Sequence, residues 1–187
     1  PGDFDSPPYF QEDAGIAFSP DGREIAFVSN REGKDREAWT TNNDVWIVPS
    51  TGGQAKKLTN NPAADVSPVF SPDGKTIYVR AQRRPGFESD RWYIDAYDRA
   101  TGAKKALFST PDLSADSITL SKDGKTIYFG AQQDGREHLF AVPAAGASVE
   151  SDSGVTSIDC AAGGYSIESS HTRSYEKPRG CRYCPAR

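Results

Sequence analysis

The chain has no methionine, two histidines and three cysteines in 187 residues. All three cysteines fall in the last 28 positions, so the stability of the preceding sequence does not rest on disulfides. No apolar run approaches the roughly 18 residues that a membrane-spanning helix requires. The net charge is −4, and the basic residues are scattered apart from Arg83-Arg84. The basic footprint of a nucleic-acid partner is therefore missing. No charged-then-apolar leader is present, so any address label has already been removed. A start at Pro1 without methionine reads as a mature product or a fragment, not a native translation start. The 17 glycines and 13 prolines indicate many turns, but fall short of a collagen-like or disordered composition.

What the chain does have is a repeat. Phe18-Ser19-Pro20-Asp21-Gly22-Arg23-Glu24-Ile25-Ala26-Phe27 returns as Phe70-Ser71-Pro72-Asp73-Gly74-Lys75-Thr76-Ile77-Tyr78-Val79. A third copy is Leu120-Ser121-Lys122-Asp123-Gly124-Lys125-Thr126-Ile127-Tyr128-Phe129. The intervals between the aspartates are 52 and 50 residues, the period of one supersecondary unit copied along the chain. In each copy a short strand runs into a tight turn and out into a second strand. Pro presets φ, Asp bonds its own backbone, and Gly closes the turn.

Residues 1–13 read as an extended, Pro-rich lead-in. The first unit spans about 14–59, with strands at 16–18, 24–29, 44–49 and 54–59 and a long polar loop at 31–43. The second spans about 65–108, with strands at 66–70, 75–81, 92–97 and 104–108 and a loop at 82–91. The third spans about 115–149, with strands at 117–120, 125–131 and 138–142, a weak fourth near Val149, and a short loop at 132–137. An incomplete fourth unit opens at 155–168. From 169 to 187 the sequence is basic, nearly devoid of aliphatics and out of phase. It reads as a disordered, frameshifted, mis-spliced or artificially appended end.

Ile25 and Phe27 share one strand face, and Ala26 and Val28 the other. Such strands are covered on both sides. A sandwich of about a dozen strands with one wet face would not produce this pattern, nor would it explain the matched phase of the turns. The fold class is therefore all-β: a β-propeller of four-stranded antiparallel blades, incomplete, with three blades and part of a fourth. An open stack leaves two apolar blade faces uncovered. The isolated chain is expected to be marginal, aggregated or oligomeric.

The Phe-Ser-Pro-Asp-Gly-Lys motif resembles the repeat of TolB-like propellers, which is shared with the propeller of the prolyl oligopeptidase family of serine peptidases. Two longer stretches sharpen the resemblance toward dipeptidyl-peptidase V-like and acylaminoacyl-peptidase-like members. They are Ala38-Trp39-Thr40-Thr41-Asn42-Asn43-Asp44-Val45-Trp46-Ile47-Val48-Pro49 and Ala81 to Trp92 continuing through Tyr97-Asp98-Arg99-Ala100-Thr101-Gly102. The resemblance covers about residues 10–165. It implies a propeller that caps an α/β-hydrolase domain of the same parent chain, with a Ser-Asp-His triad in that domain. It also favours a periplasmic or secreted location over the cytoplasm. The present chain has no Gly-x-Ser-x-Gly elbow, and no catalytic residue is carried over. The alternative is a non-catalytic TolB-like propeller that binds a protein or peptide, since a blade repeat specifies architecture and not chemistry.

In a four-stranded blade, the loops between strands two and three share a face with the blade-to-blade links. Long loops on a rigid scaffold are where binding residues collect. In the family resembled, the loops facing the hydrolase domain hold the peptide and gate access. Glu37, Glu88 and Asp90 are the candidates to anchor a free amino terminus by a charge-assisted hydrogen bond. Trp39 and Phe87 are candidates for an apolar subsite, with Arg91 beside them. The alternative for each is a solvated loop residue. The repeated turn aspartates offer one carboxylate per blade, too few for calcium. Cys181-Arg182-Tyr183-Cys184 with Cys160 and His171 formally makes a three-Cys, one-His set, but the spacing is not that of a zinc site. No metal and no cofactor is expected.

Overall fold

A computed structural model describes residues 15–33, 35–36, 39–107, 113–146, 156–161 and 164–168, the last two stretches as backbone strands. The expected lead-in, the tail after 168, Glu37 and the strand near Val149 lie outside the described residues. The secondary structure among the described residues is strands and turns, apart from a single 3-10 position at Trp39.

The first sheet is β1 (Ile16–Phe18), β2 (Glu24–Ser29), β3 (Asp44–Pro49) and β4 (Lys56–Lys57), antiparallel and in that order. The second repeats the plan with β5 (Asp65–Phe70), β6 (Thr76–Ala81), β7 (Tyr93–Asp98) and β8 (Lys104–Ala106). The third holds β9 (Ser117–Leu120), β10 (Thr126–Gln133), β11 (Arg136–Pro143), β12 (Thr156–Ala161) and β13 (Gly164–Glu168). The all-β architecture of successive antiparallel sheets is thus present, the first two four-stranded and the third five-stranded.

One placement differs from the sequence reading. Residues 155–168, expected to open a fourth unit, are paired onto the third sheet: Leu139 faces Ile158, and β13 follows β12 through Ile158↔Ile167. The open edge of β11 carries unpaired backbone groups that a following strand satisfies. Local sequence does not say which neighbour takes that edge.

The repeated turn is built identically three times. Gly22 N–H donates to Ser19 O at 2.8 Å, the Ser19 hydroxyl donates to Asp21 Oδ1 at 2.6 Å, and Arg23 N–H donates to the same oxygen at 3.1 Å. The Ser71/Asp73 and Ser121/Asp123 copies repeat these bonds. Gly22, Gly74 and Gly124 all sit near φ +68°, a conformation that favours glycine. The aspartates therefore serve the turn.

The third unit is tighter than its sequence suggests. β10 and β11 run to Gln133 and Arg136, joined only by Asp134-Gly135, both at positive φ. Two such residues make the type I′ turn that suits strand twist. In β5, Pro68 cannot donate to the ladder. Register slips between Val66 and Val69, and Ser67 takes φ +52°.

Two cores separate the three sheets. Ala26, Val28, Val45 and Ile47 pack on Val66, Phe70, Ile77, Val79, Ala81 and Tyr97. On the other side of the second sheet, Tyr78, Ile94 and Ala96 meet Ile118, Ile127, Phe129, Ala131, Phe140 and Val142. Alternate residues of β6 and β7 thus serve different cores, which is why both faces are apolar. Each fully buried Ile, Val or Phe contributes about 1.5–3 kcal/mol. The free face of the first sheet leaves Ile16 54% and Phe18 65% exposed, while Arg31 lies over the Phe27 and Trp46 rings.

Candidate functional site

The loops 30–43 and 82–92 leave the same end of their sheets, opposite the Ser-Pro-Asp-Gly turns, and they touch. Gly86 N–H donates to Thr41 Oγ1 at 3.1 Å. The blade-to-blade links join them: Asp65 N–H donates to Asn43 O at 2.7 Å, and Ala115 N–H to Trp92 O at 2.9 Å.

Loop 82–92 is held from within. Gln82 is 2% exposed, and its Nε2 donates to Glu88 O and Asp90 O, each at 3.0 Å. Asp90 Oδ2 accepts from the N–H groups of Arg83 and Arg84 at 2.7 and 2.8 Å. Burial acts against the Asp90 charge, but hydrogen bonds from the N–H groups of Arg83, Arg84 and Arg91 hold its carboxyl below the usual range. Arg84 lies over the Phe87 ring at 4.1 Å. Arg91 donates to the Tyr93 hydroxyl at 2.7 Å.

The six residues picked from sequence are distributed unevenly. Trp39 is 87% exposed and Phe87 42% exposed, on loops that meet at Thr41 and Gly86. Glu88 is exposed and Asp90 half-buried, its carboxylate turned into its own loop. Arg91 is half-buried against Tyr93. Glu37 lies outside the described residues.

Sequence reading missed a buried polar cluster beneath these loops, between the first two sheets. Asp44, Thr59, Asn61, Asp65, Gln82 and Asp95 are all at or below 9% exposure. Thr59 Oγ1 accepts from Val45 N–H and donates to Asp44 Oδ1, each at 3.0 Å, and Lys57 pairs with Asp44 at 2.6 Å. Burial pushes the Asp44 carboxyl up, against the pull of Lys57. Arg83 grips Asp95 with both nitrogens, at 2.7 and 2.6 Å, and Lys104 stands 3.7 Å away. The Tyr97 hydroxyl is buried without a hydrogen-bond partner among the described residues. Burial, then the charges of Asp65 and Asp95, push that phenol above its ordinary value. The signal available was an aspartate at or near the start of three core strands, where the neighbours are apolar.

Among the described residues no cluster of His, Cys, Asp or Glu has the form of a metal site. A groove of about 330 Å³ lies at the outer rim between the first two sheets, lined by Ile47, Lys57, Leu58, Thr59, Arg99 and Thr101. Of its three cations, Lys57 and Arg99 are committed to Asp44 and Glu24, and Lys56 is exposed beside them.

No family model matches the chain. Dipeptidyl-peptidase 5 of Porphyromonas gingivalis is 33% identical over 128 residues, covering 68% of this chain and 19% of the relative. Dipeptidyl-peptidase 5 of Aspergillus fumigatus is 32% identical over 139 residues, covering 67% of this chain and 19% of the relative. The chain thus spans about a fifth of the length of the curated relatives it matches. A TolB structure from Agrobacterium tumefaciens superposes with TM-score 0.59 at 23% identity, over 78% of this chain and 53% of that one. That likeness concerns the fold.

Proposed function

We propose, from the premise that this chain is a homologue of a segment of the dipeptidyl-peptidase 5 proteins, that it is the propeller portion of a prolyl oligopeptidase-family serine peptidase. Its role is to gate and anchor peptide substrates for an α/β-hydrolase domain of the same parent chain. The observation that carries this reading is the sequence identity over two thirds of the chain with peptidases far longer than itself. The absence of a Gly-x-Ser-x-Gly segment from these 187 residues agrees with the chemistry residing elsewhere.

In this reading Glu37, Glu88 and Asp90 compete for the substrate amino terminus. The exposure of Glu88 supports it over Asp90, whose carboxylate is already engaged. Trp39 and Phe87 line an apolar subsite, and Arg91 borders it. Their support is exposure of large rings on two loops in contact. The test is labelling with a serine-directed fluorophosphonate together with dipeptidyl substrate turnover. The parent protein reacts and turns over, while the 187-residue chain does neither. A parent gene without a Gly-x-Ser-x-Gly segment would sink the reading.

A blade repeat specifies architecture and not chemistry, which leaves a second reading, a non-catalytic propeller that binds a protein or peptide. It predicts a partner captured on one propeller face. It fails if the parent hydrolyses dipeptidyl substrates.

A further inference from the structure

We propose that Asp65 is a buried proton-binding residue that positions loop 82–92 through Asn61 and Gln82, so that the order of this loop depends on pH. The path is continuous. Asn61 Nδ2 donates to Asp65 Oδ1 at 3.0 Å and to Gln82 O at 2.8 Å, using both amide hydrogens. Asn61 Oδ1 accepts from Ala63 N–H at 3.0 Å. Gln82 N–H donates to Ala64 O at 2.8 Å, and its side chain holds Glu88 O and Asp90 O. One carboxyl thus reaches the middle of the loop through two amides.

Charge pairing in the cluster is unequal. Asp44 on β3 has Lys57, and Asp95 on β7 has the full fork of Arg83 with Lys104 behind it. Asp65 on β5 is 0% exposed, its Oδ2 has no hydrogen-bond partner, and among the described residues no cation forms an ion pair with it; the Arg83 charge reaches it, but that guanidinium is bonded to Asp95. Thr59, Asn61 and Tyr97 complete its polar surroundings. A buried carboxylate without a counter-ion takes up a proton in preference to bearing its charge. Burial pushes the Asp65 carboxyl up to about 7, against hydrogen bonds from Asn61 and Thr59, and the charges of Asp95 and Asp44 add to the rise.

Ionisation places a charge without an ion-pair partner near Asp44 and Asp95, offset only by the Asn61 and Thr59 hydrogen bonds and by an Arg83 already bonded to Asp95. The least costly relief is to let the 61–65 link move toward water. That link carries Asn61, and with it the grip on Gln82 and the loop. The closed loop therefore belongs to the protonated state, and the loosened loop to the ionised one. The inference concerns the same loop as the proposed function but does not rest on it.

The test is amide hydrogen exchange across 82–92 in the full 187-residue chain at pH 6 and pH 8, normalised to the unfolded peptide. Protection in the unsubstituted chain is expected to fall about tenfold, the ratio that one pH unit on a titrating group produces. Asp65→Asn keeps the amide path and cannot ionise, so its protection is expected to stay level. Equal pH dependence in both proteins overturns the proposal. A carbon-13 titration of the Asp65 carboxyl in the unsubstituted chain decides the matter even if the variant does not fold. A midpoint near 7, tracked by the amide resonances of 83–91, supports it. A midpoint below 5, or loop resonances that ignore the titration, overturns it. Neither measurement uses a peptide, so a negative result leaves the peptidase reading untouched.

Discussion

Arg99 Nε stands 2.6 Å from Glu24 Oε2 across 75 positions of chain. The same guanidinium donates to Gly74 O at 3.1 Å, reaches Asp21 at 3.5 Å and lies over the Phe70 ring. It is the polar clasp between the first two blades, on the side away from the long loops. Arg99→Ala is expected to lower the unfolding free energy by about 1–2 kcal/mol, because a charge-assisted contact and its packing are lost together. Urea unfolding of Arg99→Ala, Glu24→Gln and the double variant measures the coupling. Strict additivity would mean the contact is energetically idle.

Gly22 and Gly124 share the same backbone angle but not the same surroundings. A Cβ at Gly22 meets nothing within 4 Å, whereas one at Gly124 would stand 2.7 Å from Pro72 Cδ. Gly22→Ala is expected to cost about 1–2 kcal/mol from the left-handed conformation alone. Gly124→Ala adds a clash of about 1–3 kcal/mol. Thermal or urea unfolding of both reads the difference, and equal losses would refute the turn-to-turn packing.

Acid and base act on opposite parts of the fold. In the turns, the hydroxyl bond from Ser19 and the Arg23 N–H, with help from Arg99, lower the Asp21 carboxyl to about 2. Asp73 and Asp123 are lowered by the hydroxyls of Ser71 and Ser121 and the backbone N–H groups of Lys75 and Lys125. Depressed carboxyls contribute stability above their unfolded value near 3.8, and that contribution is lost as pH falls toward 2. Asp65 is raised to about 7, so the native state binds the extra proton and stability declines as pH climbs from about 4 to 7. Stability from these groups is expected to peak near pH 4–5. Asp65→Asn is expected to flatten the upper limb. A melting temperature from pH 5 to 8 that is unchanged by this substitution would contradict the assignment.

Glu88 and Asp90 are neighbours with different work. Asp90→Ala is expected to cost about 1 kcal/mol, as the loss of a backbone cap does. Glu88→Gln is expected to leave the melt within about 0.5 kcal/mol, as exposed substitutions do. Under the proposed function the order is expected to reverse for substrate: in the parent protein Glu88→Gln is expected to raise KM for free-amino-terminus peptides with little change for blocked ones. If Glu88→Gln leaves KM unchanged for both, the anchoring role falls.

What could be read in advance was whatever a short segment decides for itself. The Ser-Pro-Asp-Gly hairpins are closed by bonds spanning five residues or fewer, and the strand after each carries its two-faced pattern openly. The long loops were visible as polar breaks in that pattern. Asp44, Asp65 and Asp95 gave no such sign. They lie on three different strands, and only the stacking of the first two sheets brings them together. Asp65 in particular reads as the end of a polar link, yet it is fully buried because the link turns inward against Gln82. Asp134-Gly135 was legible in principle, since an Asp-Gly pair between alternating strands marks a two-residue hairpin.

The turn-to-turn packing has a direction. Pro20 of the first copy meets Gly74 of the second, and Pro72 of the second meets Gly124 of the third. The second copy therefore receives the ring of the first on its glycine and offers its own ring to the third, a head-to-tail relation like that of links in a chain. The third copy carries Lys122 where the others carry proline. Its receiving half is intact, but its offering half is a long, flexible cation. A turn seated beyond it would be freed from the close proline contact that a Cβ at Gly124 would meet at 2.7 Å.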